Sequence, residues 1–254
     1  MNTLSGLIIT LNEEKHIADC IDSLMRICDD VVVVDSLSDD RTAEIATEHG
    51  ATVVKQVFLG DGPQRNAGLA YCKHDWVICI DADERLDDDL VNELQGLNPG
   101  EGGVEAYEMR RKNFLHDQWI RVAGQYPDYI CRLFNKTATR MSEDYTHTRI
   151  TTQKLGRLSG HFLHYSFDNY ANMLDKLNLY SDYQSQTLFE RGKKVSRFAP
   201  FLHGLYAFIK FYFLRRGFVA GLDGLTLSML NAMGSYFKYA KLIEKQRSVE
   251  QTNP

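Results

Sequence analysis

The run Val31-Val32-Val33-Val34 is β-branched throughout and ends on Asp35, which fits a strand buried on both faces. A strand with one solvated face would alternate apolar with polar residues instead. Leu7 to Leu11, Ala51 to Val54 and Trp76 to Ile80 are short apolar runs of the same kind. Helical patterns separate them. Ile17, Cys20, Ile21, Leu24 and Cys28 recur at three and four. Ser36-Leu37-Ser38-Asp39-Asp40 supplies N-cap residues for a helix over Thr42 to Glu48 that Gly50 closes, and a third helix spans Gly62 to Cys72 after a Gly-rich loop. Strands alternating with helices, with the strands apolar on both sides, predict an α/β fold around a mostly parallel, doubly covered sheet.

The fourth run ends in Asp81-Ala82-Asp83-Glu84, three carboxylates spaced to converge on one point. In an open parallel sheet the ligand crevice lies outside the carboxyl ends of the strands. Mg²⁺ or Mn²⁺ there takes one or two carboxylates together with substrate phosphates. The plainer alternative is an acidic loop in which Asp83 or Glu84 favours the N-terminus of the next helix. Asn12 and Glu13 follow the first strand and Asp35 the second, on the edge where a base and ribose are read; Asp35 as a plain N-cap is the alternative. There is no G-x-G-x-x-G after the first strand and no G-x-x-x-x-G-K-[ST], which disfavours dinucleotide dehydrogenases and P-loop enzymes.

Leu11-Asn12-Glu13-Glu14, Val33 to Thr42, Gly62-Pro63-Gln64-Arg65-Asn66 and Trp76 to Glu84, in that order, resemble family 2 glycosyltransferases of the GT-A fold, Rossmann-like and built to bind nucleotide sugars. Tyr126-Pro127-Asp128, Arg132-Leu133-Phe134 and His164-Tyr165-Ser166 resemble, more narrowly, lipopolysaccharide inner-core glucosyltransferases and relatives acting on cell-surface glycans. The resemblance implies that Asn12, Glu13 and Asp35, with the adjoining Thr10 and Ser36, hold the uracil and ribose of a UDP-sugar. It places Gln64, Arg65 and Asn66 over the nucleotide or diphosphate, and Asp81, Ala82 and Asp83 at the donor, with Asp81 and Asp83 flanking a divalent metal. The family shows Gly where this chain has Leu37, a departure that reshapes the loop and leaves Asp35 in place.

An inverting sugar transfer needs a carboxylate or His to take the acceptor hydroxyl's proton. Asp128, with Arg132 at +4, resembles the acidic residue of the family's catalytic motif; its plainer role is an ion pair with Arg132. Close relatives carry His-Glu where this chain has His147-Thr148, so Glu143 and Asp144 are substitutes and His147 a further candidate. His161 and His164 read as structural or acceptor-lining, and no set of ligands for zinc can be assembled.

After Leu97 the pattern is less regular. Asn98-Pro99-Gly100 and Gly102-Gly103 mark a loop, and Ala106 to Arg111, Trp119 to Ala123, Tyr129 to Phe134 and Leu158 to His164 are β-like. A long helix is predicted from Asn169 to Glu190, with Tyr170, Met173, Leu174, Leu177 and Tyr180 on one face. Residues 1–165 thus form a catalytic domain and 166–254 a helical appendage. From Arg191 to Leu222 the appendage carries seven Lys or Arg and no acid, interleaved with aromatics such as Phe198, Phe201, Phe208 and Phe213. That pattern suits a helix in the interface of an anionic membrane, with packing, a homo-oligomer contact and an RNA-binding patch as alternatives. Its apolar stretches are too short to span.

The net charge of −5 argues against nucleic acid as the main partner. Five scattered cysteines without C-x-x-C read as buried reduced thiols, and no signal peptide is visible, so the expectation is peripheral attachment at the cytoplasmic face of the inner membrane. The function expected is transfer of a hexose, such as glucose, from a UDP-sugar to a lipopolysaccharide, other glycan or glycolipid acceptor. A metal-dependent nucleotidyltransferase and a non-catalytic membrane-docking assembly protein are the alternatives.

Overall fold

The computed structural model describes residues 4–115, 117–143, 148–167 and 170–252. By contact the chain divides into two compact units, one of residues 1–112 and 127–165, the other of residues 113–126 and 166–254. The excursion 113–126 thus packs with the second unit, although the sequence boundaries placed it in the first.

The first unit alternates β1 (Leu4–Thr10), α1 (Ile17–Met25), β2 (Asp30–Asp35), α2 (Thr42–Glu48), β3 (Thr52–Lys55), α3 (Asp61–Gly68) and β4 (Trp76–Asp81). There follow in chain order β5 (Glu84–Leu86), α4 (Asp88–Gly96), β6 (Ala106–Leu115), β7 (Gln118–Trp119), which lies in the 113–126 stretch of the second unit, β8 (Asp128–Asn135) and β9 (Leu155–Phe167). The sheet order is β3-β2-β1-β4-β8-β6-β9-β5, with β7 on β6. β3, β2, β1 and β4 are parallel, whereas β8 joins β4, and β6 joins β8, antiparallel.

Alternate residues of the apolar runs feed opposite faces, as double burial requires. Ile8, Val31, Val33, Ile78 and Ile80 join α1 and α4 in one core; Leu7, Val32, Val34, Val77 and Cys79 join Leu69 and Phe134 in the other. Gly160 lets β9 run against α4, since a Cβ there would collide with the Leu90 backbone. All five cysteines are free, four buried and Cys131 partly so. Burial pushes the Cys72 and Cys131 thiols each up to about 12.

The differences from expectation have local causes. β1 starts at Leu4 and leaves Leu11 exposed. Of the segment Trp119 to Ala123, only Trp119 is in a strand; the backbone turns away with Ala123 at φ 55°. Glu84 to Leu86 forms a strand instead of a loop because it pairs with β9. The N-cap of α4 is Asp87, which accepts from Leu90 N at 2.9 Å, so neither Asp83 nor Glu84 has that role.

In the second unit, α5 (Tyr170–Glu190), α6 (Ala199–Ile209) and α7 (Gly221–Thr252) pack together, α6 and α7 being joined by turns over 210–220. The face of α5 that is buried contains Met173, Ser181 and Ser185, while Tyr170, Leu174 and Tyr180 of the expected face are exposed. Leu177 of α5 lies against Gly234 of α7.

Candidate functional site

The carboxyl ends of β1, β2 and β4 lie side by side, Thr10 opposite Asp35 and Ile9 opposite Asp81. Asp35 is fully buried and accepts from the Ser38 backbone N at 3.1 Å and from the Ser38 hydroxyl. It closes its own loop, while Asp40, just before the Arg41 N-cap of α2, accepts from Thr42 N at 2.9 Å. The loops after β1 and β2 are laced together: Asn12 N donates to Ser38 Oγ at 2.9 Å, Asp39 N to Asn12 Oδ1 at 3.0 Å, and Glu13 N to Thr42 Oγ1 at 2.8 Å. Leu37, in the family's Gly position, takes φ 68°, the left-handed conformation that Gly adopts without steric cost. Gln64 is buried and bridges Leu59 N, Ser36 Oγ and Gln56 O. The buried Thr10 hydroxyl has no hydrogen-bond partner among the described residues. A buried polar group left unpaired is costly, which marks the end of β1 as a place for a ligand's polar edge.

A charged network adjoins this edge. Arg65 of α3 is buried and pairs with Asp81 Oδ1, with Asp61 at 3.0 Å and with Cys79 Sγ at 3.2 Å. Arg132 donates to Asp81 Oδ2 at 2.6 Å and to Glu84 Oε1 at 3.0 Å. Arg111 donates to Glu84 Oε1 at 3.1 Å and to Asp128 Oδ2 at 2.9 Å. Glu84, wholly buried, also accepts from Asp81 N at 3.0 Å, closing the turn after β4. The sheet register explains these partners: Arg111 and Asp128 are cross-strand neighbours, and Arg132 lies one residue before Leu133, which faces Ile78. Burial alone would raise the Asp81 carboxyl, but the Arg132 and Arg65 guanidiniums beside it hold it well below the usual carboxylate range. Burial would likewise lower Arg132, and Asp81 and Glu84 hold it above its ordinary value.

The three carboxylates after β4 therefore do not converge on one point. Asp81 and Glu84 meet at Arg132, whereas Asp83, buried, faces His164 with Oδ2 3.4 Å from Nε2. The β5–β9 pairing sets Glu84 opposite His164 and so brings the imidazole to Asp83. Among the described residues no group of three or more His, Cys, Asp or Glu is placed to hold a metal ion. A divalent ion that keeps waters and substrate phosphates as ligands needs only one or two from the protein. Asp83 and His164 fit that requirement. Asp81 has both oxygens on guanidiniums, whereas Asp83 stands beside His164, an imidazole that the sequence reading took as structural or acceptor-lining. His161 lies 3.3 Å from Asp87 instead.

Of the candidate bases, Asp128 is partly exposed and pairs with Arg111, not with Arg132 as its sequence spacing suggested. Glu143 is exposed and accepts from Asn66 Nδ2 at 2.9 Å. Asn66 also bonds Met141 N and O, so it clamps this segment to α3. Asp144 and His147 lie outside the described residues. Arg111 is a member of the site that sequence reading gave no role, and Glu84, read there only as a third converging acid or a helix-end residue, binds two arginines. Their sequence signal was a third acid after Asp83 and an arginine in a β-like segment.

The family model for glycosyl transferase family 2 matches residues 5–161. An uncharacterised glycosyltransferase of Rickettsia typhi is 34% identical over 265 residues, covering 98% of this chain and 90% of that protein. The lipopolysaccharide core biosynthesis glycosyltransferase LpsC of Rhizobium meliloti is 26% identical, covering 95% and 92%. Among solved structures, glucosyl-3-phosphoglycerate synthase from Mycobacterium tuberculosis with phosphoglyceric acid superposes with a TM-score of 0.50 at 19% identity, covering 76% and 81%.

Proposed function

The chain belongs to glycosyl transferase family 2, with the mixed α/β fold of the GT-A enzymes, and we propose that it transfers a hexose, with inversion, from a UDP-sugar to a lipopolysaccharide or other cell-surface glycan acceptor. Family membership sets aside the nucleotidyltransferase and the non-catalytic assembly protein. One observation carries the finer reading: Asp83 with His164, and Arg65 and Arg132 around Asp81, gather on the sheet edge that also holds Asp35 and the unpaired Thr10 hydroxyl. An acid–imidazole pair and two guanidiniums beside a base-reading edge suit a nucleoside diphosphate. LpsC, a relative along nearly the whole chain, is named for lipopolysaccharide core synthesis, which supports the acceptor class.

In this reading Asp35 and Thr10 receive the uracil and ribose. Arg65 and Arg132 fix Asp81, and through it the turn that presents Asp83. A divalent ion held by Asp83 and His164 would supply compensation for the charge on the departing diphosphate. Asp128, positioned by Arg111, takes the proton from the acceptor hydroxyl as that oxygen attacks the sugar's anomeric carbon.

The test is a panel of UDP-, GDP- and ADP-sugars, each with Mg²⁺, Mn²⁺ or EDTA, reading nucleotide diphosphate release and thermal protection. UDP-sugars should give metal-dependent release and protection. A clear preference for GDP or ADP donors would overturn the donor assignment.

A further inference from the structure

The face of α6 opposite its packing contact is apolar and uncovered. Ala199, Gly204 and Ala207 are buried, and α6 meets α7 at Gly204, where a Cβ would come within 3.3 Å of Ala232 O and of Tyr236 Cβ. The other side presents Phe198, Phe201, Leu202, Leu205, Tyr206 and Ile209 at helical spacing, all exposed, Phe201 and Tyr206 each by 62%. The surface continues through the following turns, where Phe213 is 55% and Leu214 71% exposed. Contiguous apolar surface of this kind marks an interaction site.

The charges around this face point to its partner. Arg191, Lys193, Lys194, Arg197, Arg215 and Arg216 are all exposed, Lys210 is partly so, and no acid occurs from 191 to 222 in a chain whose net charge is −5. A second copy joined face to face about a two-fold axis would set like charges against each other. RNA would engage the cations and aromatics but not the aliphatic Leu202, Leu205, Ile209 and Leu214. No described helix is long and apolar enough to cross a membrane. Aliphatic and aromatic side chains that can enter the headgroup boundary, with cations beside them, fit an interfacial contact.

We propose that the α6 face and the turns after it dock onto the surface of an anionic lipid bilayer. The docking does not depend on the transfer reaction, although it suits a lipid-linked acceptor.

The test is co-sedimentation of the full chain with vesicles of phosphatidylcholine alone or with phosphatidylglycerol added. The chain should pellet with the anionic vesicles and scarcely with the neutral ones, and high salt should release only part of it. Replacing Arg215 and Arg216 by Glu should lower partition by at least about 25-fold at low salt, roughly fivefold for each cation removed. Phe201→Ser with Leu205→Ser should lower it at both salt concentrations. All four positions are exposed, so thermal unfolding curves should stay like that of the parent, which separates lost docking from lost fold. No pelleting with either vesicle, equal pelleting with both, variants that bind like the parent, or concentration-dependent self-association abolished by Leu205→Ser would each overturn the proposal.

Discussion

Arg65 and Arg132 of the first unit are nearly buried and both meet carboxylates, whereas Arg215 and Arg216 of the second stand exposed beside Phe213 and Leu214. The same residue type does different work in the two places. In the crevice each guanidinium is locked by a partner of opposite charge, so the site is arranged before a small ligand arrives and loses little freedom on binding. Beyond the end of α6, Arg215 and Arg216 are exposed to solvent, which suits a broad surface with no fixed geometry. Burial makes the first arrangement costly to break, and exposure makes the second cheap to alter.

The sharpest way to break the comparison is Glu84→Ala, which leaves Arg111 and Arg132 facing each other without their shared carboxylate. Stability of the first unit should fall by about 3–5 kcal/mol. Urea unfolding followed by near-ultraviolet circular dichroism measures it, and a loss below about 1 kcal/mol would mean that the network is not a buried one.

Asp83→Ala should cut turnover by at least about 10². Secondary structure should be retained, and EDTA treatment of the parent should produce a similar loss. Full turnover in EDTA would remove the metal from the reading.

Asp128→Asn should lower kcat by about 10² while leaving the KM for donor near the parent value. If Glu143→Gln shows that split and Asp128→Asn does not, the base lies in the segment that Asn66 clamps.

A pH series sharpens the contrast further. Asp81 binds its proton more weakly folded than unfolded, so it adds stability above the ordinary carboxylate pKa, and that contribution disappears as pH falls through its depressed folded value. The difference in urea midpoint between the parent and Asp81→Asn should therefore narrow steadily below about pH 4. A gap independent of pH would show that Asp81 does not act through its charge. On the other side of the comparison, Arg215→Ala with Arg216→Ala should change stability by no more than about 0.5 kcal/mol in the same assay.

The parallel half of the fold was legible in the sequence because a strand buried on both faces must be apolar at every position, and Val31 to Val34 can satisfy little else. The sheet edge was legible for the same reason: the residues that follow such runs, Asn12, Asp35 and Asp81, are carried to the carboxyl ends of neighbouring strands. The basic, aromatic character of 191–222 was also plain. What no local pattern held was the choice of partners. Glu84 meets Arg111 and Arg132, and Asp83 meets His164, through antiparallel pairings between residues far apart in the chain. β5 has only three residues with an arginine at its centre, too short to show a period. The spacing of Asp128 and Arg132 suggested a loop ion pair; in the sheet the cross-strand Arg111 pairs with Asp128. In α5 part of the expected stripe is packed, Met173 buried and Leu177 against Gly234, while Tyr170, Leu174 and Tyr180 stay exposed and Ser181 and Ser185 are buried instead. Likewise the sequence by itself determined that 191–222 is basic and apolar, but only tertiary packing decided which α6 side chains α7 covers and which remain in water. Local pattern determines which face of a segment can be buried, and the long-range pairing that buries it is a property of the whole chain.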